Sequence, residues 1–312
     1  MTVTSFLSQH DPAAPQDIVD LGLHFGVPRV AIARAGAPLP MLAAKQGVAE
    51  NLMTPVFVGE ADAIRAEAAK LDWDIGAYPL HDTNGEEDAG QTAARLCGAG
   101  EADVLMKGQI HSDVFLKAAV DRDSGLRTDQ RLVHMFVISP PDGSKPMVIS
   151  DAAVNITPSV DVRKVILSEM TMMLQRLGTA RPRIALLSAT ETPITALPSS
   201  VEARELADWA KTALPDADVS GPLALDLILS PASVAIKGLE SDPVAGHADG
   251  IVVPDLVTGN ALFKAFVYLG GGCAAGVITG AKVPILLTSR ADPASARIAS
   301  LAIANVMCGL PK

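Results

Sequence analysis

Short apolar runs alternate with longer helical patterns from residue 28 onward, and no other feature constrains the fold as much. PRVAIARA (28–35), TPVFVG (54–59), ADVLMKG (102–108), LVHMFVIS (132–139), PMVISDAAV (146–154), RIALLSA (183–189), GIVVPD (250–255), AAGVIT (274–279) and PILLTS (284–289) have the length and composition of buried strands. The segments 38–53, 60–71, 160–177, 199–213, 222–237, 257–271 and 293–308 have helical spacing. Strand-then-helix repetition predicts an α/β fold with largely parallel sheets. Aromatic residues make up only 4% of the chain, so Ala, Val, Leu and Ile must fill the core, as suits sheets covered by helices. A chain of 312 residues exceeds one hydrophobic core, so two units are expected. PPDGSKP (140–146) has hairpin chemistry. The expected division puts residues 1–146 and 290–312 in a first α/β domain and 147–289 in a second, with the last helix returning to the first.

Asp and Glu number 35 against 25 Lys and Arg, a net charge of −10. That balance argues against nucleic acid or an anionic membrane as partner. It leaves room for a small anion, because a few cations in one place override the bulk sign locally. Cys97, Cys273 and Cys308 fit no disulfide framework or zinc spacing and read as reduced thiols. Cys273 beside glycines reads as a small buried thiol rather than a nucleophile. The N-terminal MTVTSFLSQHDPAAPQD is too polar for a secretory leader, and 261–280, with Lys264 and its glycines, is a poor membrane span. The expected location is the cytoplasm.

In open parallel sheets ligands bind beyond the carboxyl ends of strands, at helix N-termini. LLTSRADP (286–293) is the clearest such place. Asp292 followed by Pro293 reads as an N-cap and a first helical proline, which puts Ser289 and Arg290 in the turn. A hydroxyl and a permanent cation there suit a phosphate, and a capped turn with a solvent-facing Arg is the plain alternative. In LMKGQIHSD (105–113), Lys107 suits an anion. His111 suits donation to a carbonyl oxygen or proton transfer, and His111 with Ser112 would equally serve as a helix cap. Arg127 precedes a strand that carries His134 among apolar residues, and that histidine reads as a core residue. In IVVPDLVTGN (251–260), Asp255 follows a strand, and Thr258, Gly259 and Asn260 open a helix, with Gly259 able to admit a ligand close to the backbone. SDAAVN (150–155), SATETP (188–193) and GPLALD (221–226) read as turns of the same kind. GxxxxGK[ST] and GxSxG are absent, and GGGCAAG (270–276) sits between helix and strand, the wrong order for a dinucleotide fingerprint.

MKGQIHSD (106–113), GLRTDQRLVHMFV (125–137), ISDAAVNITP (149–158), LLSATETP (186–193), DVSGPLALD (218–226), SDPVAGHADGIVVPDLVTGN (241–260) and VPILLTSRAD (283–292), in this order and spacing, resemble the phosphate acetyltransferase and phosphate butyryltransferase family. The resemblance implies two α/β domains with an interdomain cleft, a fold shared with isocitrate and isopropylmalate dehydrogenases, and a homodimer. It implies reversible transfer of an acetyl group between coenzyme A and inorganic phosphate, with butyryl as the alternative. Acyl-CoA, phosphate and acyl phosphate would be substrates, with no metal and no tightly bound cofactor. Ser289 and Arg290 match the family's cleft pair, with Asp292 beside them as base or cap. Longer acetyltransferases carry an Asp seven residues after that Ser; here the position is Ala296, and the SRAD form is similar to the butyryltransferase branch and to short acetyltransferases. A metal-dependent dehydrogenase of the same fold is the distant alternative, drawing on Asp82, Asp226 and Asp255.

Overall fold

The computed structural model describes residues 6–10, 12–287 and 292–312. Contacts group the chain into two units, Pro12–Leu132 with Ala275–Lys312, and Met1–Asp11 with Val133–Ala274.

The first unit opens with α1 (Gln16–Gly22) and runs β1 (Arg29–Ala33), α2 (Pro38–Ala49), β2 (Thr54–Gly59), α3 (Ala61–Lys70), β3 (Leu80–Asp82), α4 (Gly85–Gly98), β4 (Val104–Lys107) and α5 (Ser112–Val120). In the second unit come β5 (Val133–Ser139), β6 (Met147–Ser150), α6 (Val160–Arg176), β7 (Arg183–Leu187), α7 (Pro198–Ala213), β8 (Asp218–Leu223), α8 (Leu225–Leu229), α9 (Pro231–Lys237), β9 (Gly250–Val252) and α10 (Leu256–Tyr268). The chain then passes through β10 (Cys273–Thr279) and β11 (Ile285–Leu286) to α11 (Ala294–Cys308). Strand order is β3-β2-β1-β4-β11-β10 in the first unit and β5-β6-β9-β7-β8 in the second. Within each unit the described pairs are parallel apart from β10 with β11 and β5 with β6.

The apolar runs are strands because both faces of each sheet are covered. Val30, Ala31, Ile32 and Ala33 of β1 are fully buried, as are Val104 and Leu105 of β4. Prolines stand at the first helical turn of α2, α7 and α9, where a missing N–H costs nothing. Most of α11 is buried, Leu301, Ile303 and Val306 included. It crosses α1 at Gly22, where a side chain would come within 2.9 Å of the Ala302 backbone.

Several expectations change. The helix expected over 222–237 is two short helices, because β8 continues to Leu223 and Pro231 cannot extend α8. GPLALD is therefore part strand: Gly221 lets β8 approach β7, where a Cβ would lie 2.6 Å from that of Leu186. The division expected at 146/147 falls between β5 and β6, whose antiparallel pairing (Phe136 with Ile149, Ile138 with Met147) holds both strands in the second unit. The return to the first unit comes at Ala275 rather than at 290. Finally, Asp292 does not cap α11. Pro293 takes the N-cap place with no side-chain hydrogen bond, and the Asp292 carbonyl instead accepts from Arg297 Nη1 at 2.5 Å.

Candidate functional site

At the carboxyl ends of β1, β2 and β4 the first unit gathers polar groups. Lys107 closes β4 and is almost wholly buried. Gly108 follows because nothing larger fits: a Cβ there would stand 2.5 Å from the carbonyl oxygens of Ala33 and Arg34. The N–H groups of Gly108 and Gln109 extend the ladder, donating to those same two carbonyls at 3.0 and 2.9 Å. Arg34 is left-handed, with φ 58°, a conformation a non-glycine residue keeps only when its surroundings hold it. They do: its Nε donates to Glu60 at 3.2 Å and its Nη1 to Glu86 at 2.9 Å.

Glu86 lies in the first turn of α4 and His111 at the N-cap of α5. His111 does not cap with its side chain. Its backbone N–H and its ring Nδ1 both reach Glu86 Oε2, at 3.1 and 2.7 Å. These bonds, the backbone one foremost, hold the Glu86 carboxyl below its ordinary value of 4.5. Ser112 and Arg127 are exposed. An open hollow beside this group is lined by Glu60, Asp62, Asp82 and Asp88 against one cation, Arg65, a net sign unsuited to an anion.

In the second unit the turn after β6 is tied to the start of α10. Asp255 caps α10, its Oδ1 accepting from Thr258 N–H at 2.8 Å and from Thr258 Oγ1 at 3.1 Å. Asn260 Nδ2 donates to the Ala152 carbonyl at 3.3 Å. Gly259 is buried, and the space a side chain would need is taken by the Asp151 carbonyl at 2.6 Å and by Ala152 and Val253. The close approach it permits is thus made by the protein's own turn. Asp151 itself is buried and bonded through both oxygens. Oδ1 accepts from the N–H groups of Ala153 and Val154 at 2.9 Å each. Oδ2 accepts from His134 N–H at 3.1 Å and Asn155 Nδ2 at 2.7 Å.

Thr258, Gly259 and Asn260 therefore share one structured turn with Asp151, and Lys107, His111 and Ser112 share another with Arg34 and Glu86. Ser289 and Arg290 lie outside the described residues. Arg34, Glu60, Glu86 and Asn155 were missed by the sequence reading. Arg34 could have been found, since it follows strand β1 directly, beside the place where Lys107 closes β4. Glu86 looked like one of several acids favoured by a helix dipole. Cys273 is buried, and burial pushes the Cys97 thiol up to about 12. Of the dehydrogenase-type carboxylates, Asp82 accepts from Ala61 N–H, Asp226 pairs with Lys237, and Asp255 is the α10 cap. Among the described residues no group of three or more His, Cys, Asp or Glu could hold a metal ion, and no helix is long and apolar enough to cross a membrane.

An α/β chain with ligand-type turns at its strand ends is the frame of many transferases, and comparison with known proteins narrows the class. A family model described as phosphate acetyl/butaryl transferase matches residues 86–305. A phosphate acetyltransferase of Rhizobium meliloti is 36% identical over 287 residues, 88% of this chain and 90% of that protein. A probable phosphate butyryltransferase of Bacillus subtilis is 39% identical over 222 residues, 71% of this chain and 74% of that protein. The crystal structure of a branched-chain phosphotransacylase from Enterococcus faecalis superposes with a TM-score of 0.78 at 31% identity, covering 89% of this chain and 98% of that one. A 4-hydroxythreonine-4-phosphate dehydrogenase from Burkholderia phymatum, at 15% identity and a TM-score of 0.51 over 90% of this chain and 98% of that one, is similar in fold alone. This chain belongs to the phosphate acetyl/butyryl transferase family and is an acyltransferase.

Proposed function

We propose that this chain moves an acetyl group reversibly between coenzyme A and inorganic phosphate, with coenzyme A as a diffusing substrate. The observation that carries this reading is the 36% identity to a phosphate acetyltransferase along 88% of the chain. The chemistry must bring two anions, phosphate and thiolate, to one acyl carbon. Arg290, aided by Lys107 and Arg127, neutralises the phosphate. Ser289 donates to the carbonyl oxygen as charge develops there. Thr258, Asn260 and Ser112 line the substrates, and alignment of the two substrates lowers much of the remaining barrier. Asp292 and His111 are the candidates for the thiol proton. A cytoplasmic homodimer completes the reading.

Butyryl or branched acyl transfer is the second reading, favoured by the 39% identity to the Bacillus protein and by the Enterococcus structure. One methylene in an apolar pocket is worth only about 1–3 kcal/mol. Thiol release measured with acetyl-, butyryl- and isobutyryl-CoA plus phosphate decides between them: the highest kcat/KM should fall on acetyl-CoA. Turnover with none of the three would remove both readings. Arg290→Ala should lower turnover by roughly 10²–10³-fold, and near-normal acyl phosphate formation in that variant would withdraw its role.

A further inference from the structure

Among the titratable groups at the strand ends of the first unit, Glu86 and His111 have the closest mutual geometry. Oε2 of Glu86 takes both His111 contacts, while Oε1 is held by Arg34. With its carboxyl held below the ordinary range, Glu86 is ionised at neutral pH. An ionised carboxylate only accepts hydrogen bonds, so His111 Nδ1 must carry the proton. In the neutral ring Nε2 then holds a lone pair. The His111 side chain is 69% exposed, open to an incoming group. The sequence left His111 two roles, donor to a carbonyl oxygen or partner in proton transfer. The neutral form protonated at Nδ1 offers Nε2 as an acceptor, the form that can take a proton.

We infer that Glu86 is a positioning residue that fixes the Nδ1-protonated form of His111, so that Nε2 accepts the thiol proton of coenzyme A. This rests on the phosphate acyltransferase reading. Towards acyl-CoA, the S–H proton passes to Nε2 and the sulfur bonds to the acyl carbon. The carbon–oxygen bond to phosphate breaks, phosphate leaves with the electron pair, and the imidazolium returns its proton to phosphate or water. In reverse, the imidazolium protonates the departing thiolate. Ala296, a buried methyl group at the place where longer acetyltransferases carry an Asp, has no proton to exchange.

The test joins nitrogen NMR of the full chain, with the ring assigned by comparison with His111→Gln, to kinetics of acetyl-CoA formation from acetyl phosphate. In the wild type, Nδ1 should give a protonated signal and Nε2 an unprotonated one. Glu86→Gln should average the two signals and lower kcat at least about tenfold, with KM for acetyl phosphate little changed. His111→Gln should lose roughly 10²–10⁴-fold, as expected for a missing proton acceptor. A wild-type ring protonated at Nε2, or a folded Glu86→Gln protein with wild-type kcat, overturns the inference. Should Glu86→Gln fail to fold, the wild-type spectrum and the kinetics of the surface variant His111→Gln still decide it. A wild-type chain that exchanges no acyl group with phosphate refutes the underlying reading instead, and does so whatever tautomer the spectrum reports.

Discussion

His134 and Asp151 lie next to each other in the second unit, both buried, yet no hydrogen bond joins their side chains. His134 is 1% exposed, its Nδ1 has no hydrogen-bond partner, and its ring sits 4.3 Å from that of Phe136. Phe136 in turn stacks on Phe263 at 4.0 Å. Burial pushes the ring well below its ordinary 6.5, to about 4, against the opposing pull of the Asp151 charge. The native state therefore keeps His134 neutral where the unfolded chain would protonate it. Its contribution is complete above about pH 6.5 and is lost as pH falls toward 4, a span worth roughly 3 kcal/mol. Replacing His134 by Leu should flatten the melting temperature between those pH values, and an unchanged acid slope would refute this account. Asp151→Asn should cost on the order of 1–3 kcal/mol, because the amide would face donors with a donor; a chemical denaturation series measures it. His134 was legible as a core residue from its apolar neighbours. Its dependence on Asp151 was not, because the two are brought together by the pairing of β5 with β6.

At the scale of elements, the turn after β6 and the first turn of α10 meet through Gly259. Gly259→Ala would drive a methyl group onto the Asp151 carbonyl. Overpacking of this kind costs typically about 1–3 kcal/mol. Faster amide exchange at Ala153 and Val154 should accompany that loss, since their N–H groups are held by Asp151. Exchange rates equal to the wild type would mean the turn yields without strain. The long apolar strands were readable because burial on both faces gives continuous runs. β3, only Leu80–Asp82, lacks such a run, and α4 is led by Gly85 and three acids that hide its Ala and Leu face. β8 was hidden by Gly221 and Pro222, which read as turn residues although a strand beside β7 needs the glycine for clearance. The same limit applied to the site. Several residues at strand ends were found, though Arg34 after β1 was passed over, and Glu86, which meets His111 only after two helices fold, carried no local mark.

For the whole molecule, the α/β plan was legible from alternation, whereas two units were expected from length alone and the return of the last helix only from the habit of two-domain chains. The points of division were not, because strand pairing rather than turn chemistry sets them. In the first unit β11 pairs with β4, and α11 packs on α1 and α2. Ending the chain after residue 293 should therefore unprotect β1, β2 and β4 in hydrogen exchange and leave β7, β8 and β9 comparatively protected. Loss of protection spread evenly over both sets of strands would show that the units do not differ in this way.

The same arrangement sets an order of assembly on the ribosome. Residues 12–132 leave the exit tunnel first, yet their sheet lacks its β11 partner and their helices lack their α11 cover until the segment beyond Ala275 has been made. At roughly 5–20 residues per second, that interval is on the order of ten seconds or more. Throughout it the side of β4 that β11 will take, at Leu105 and Met106, is an open edge on which another strand could pair.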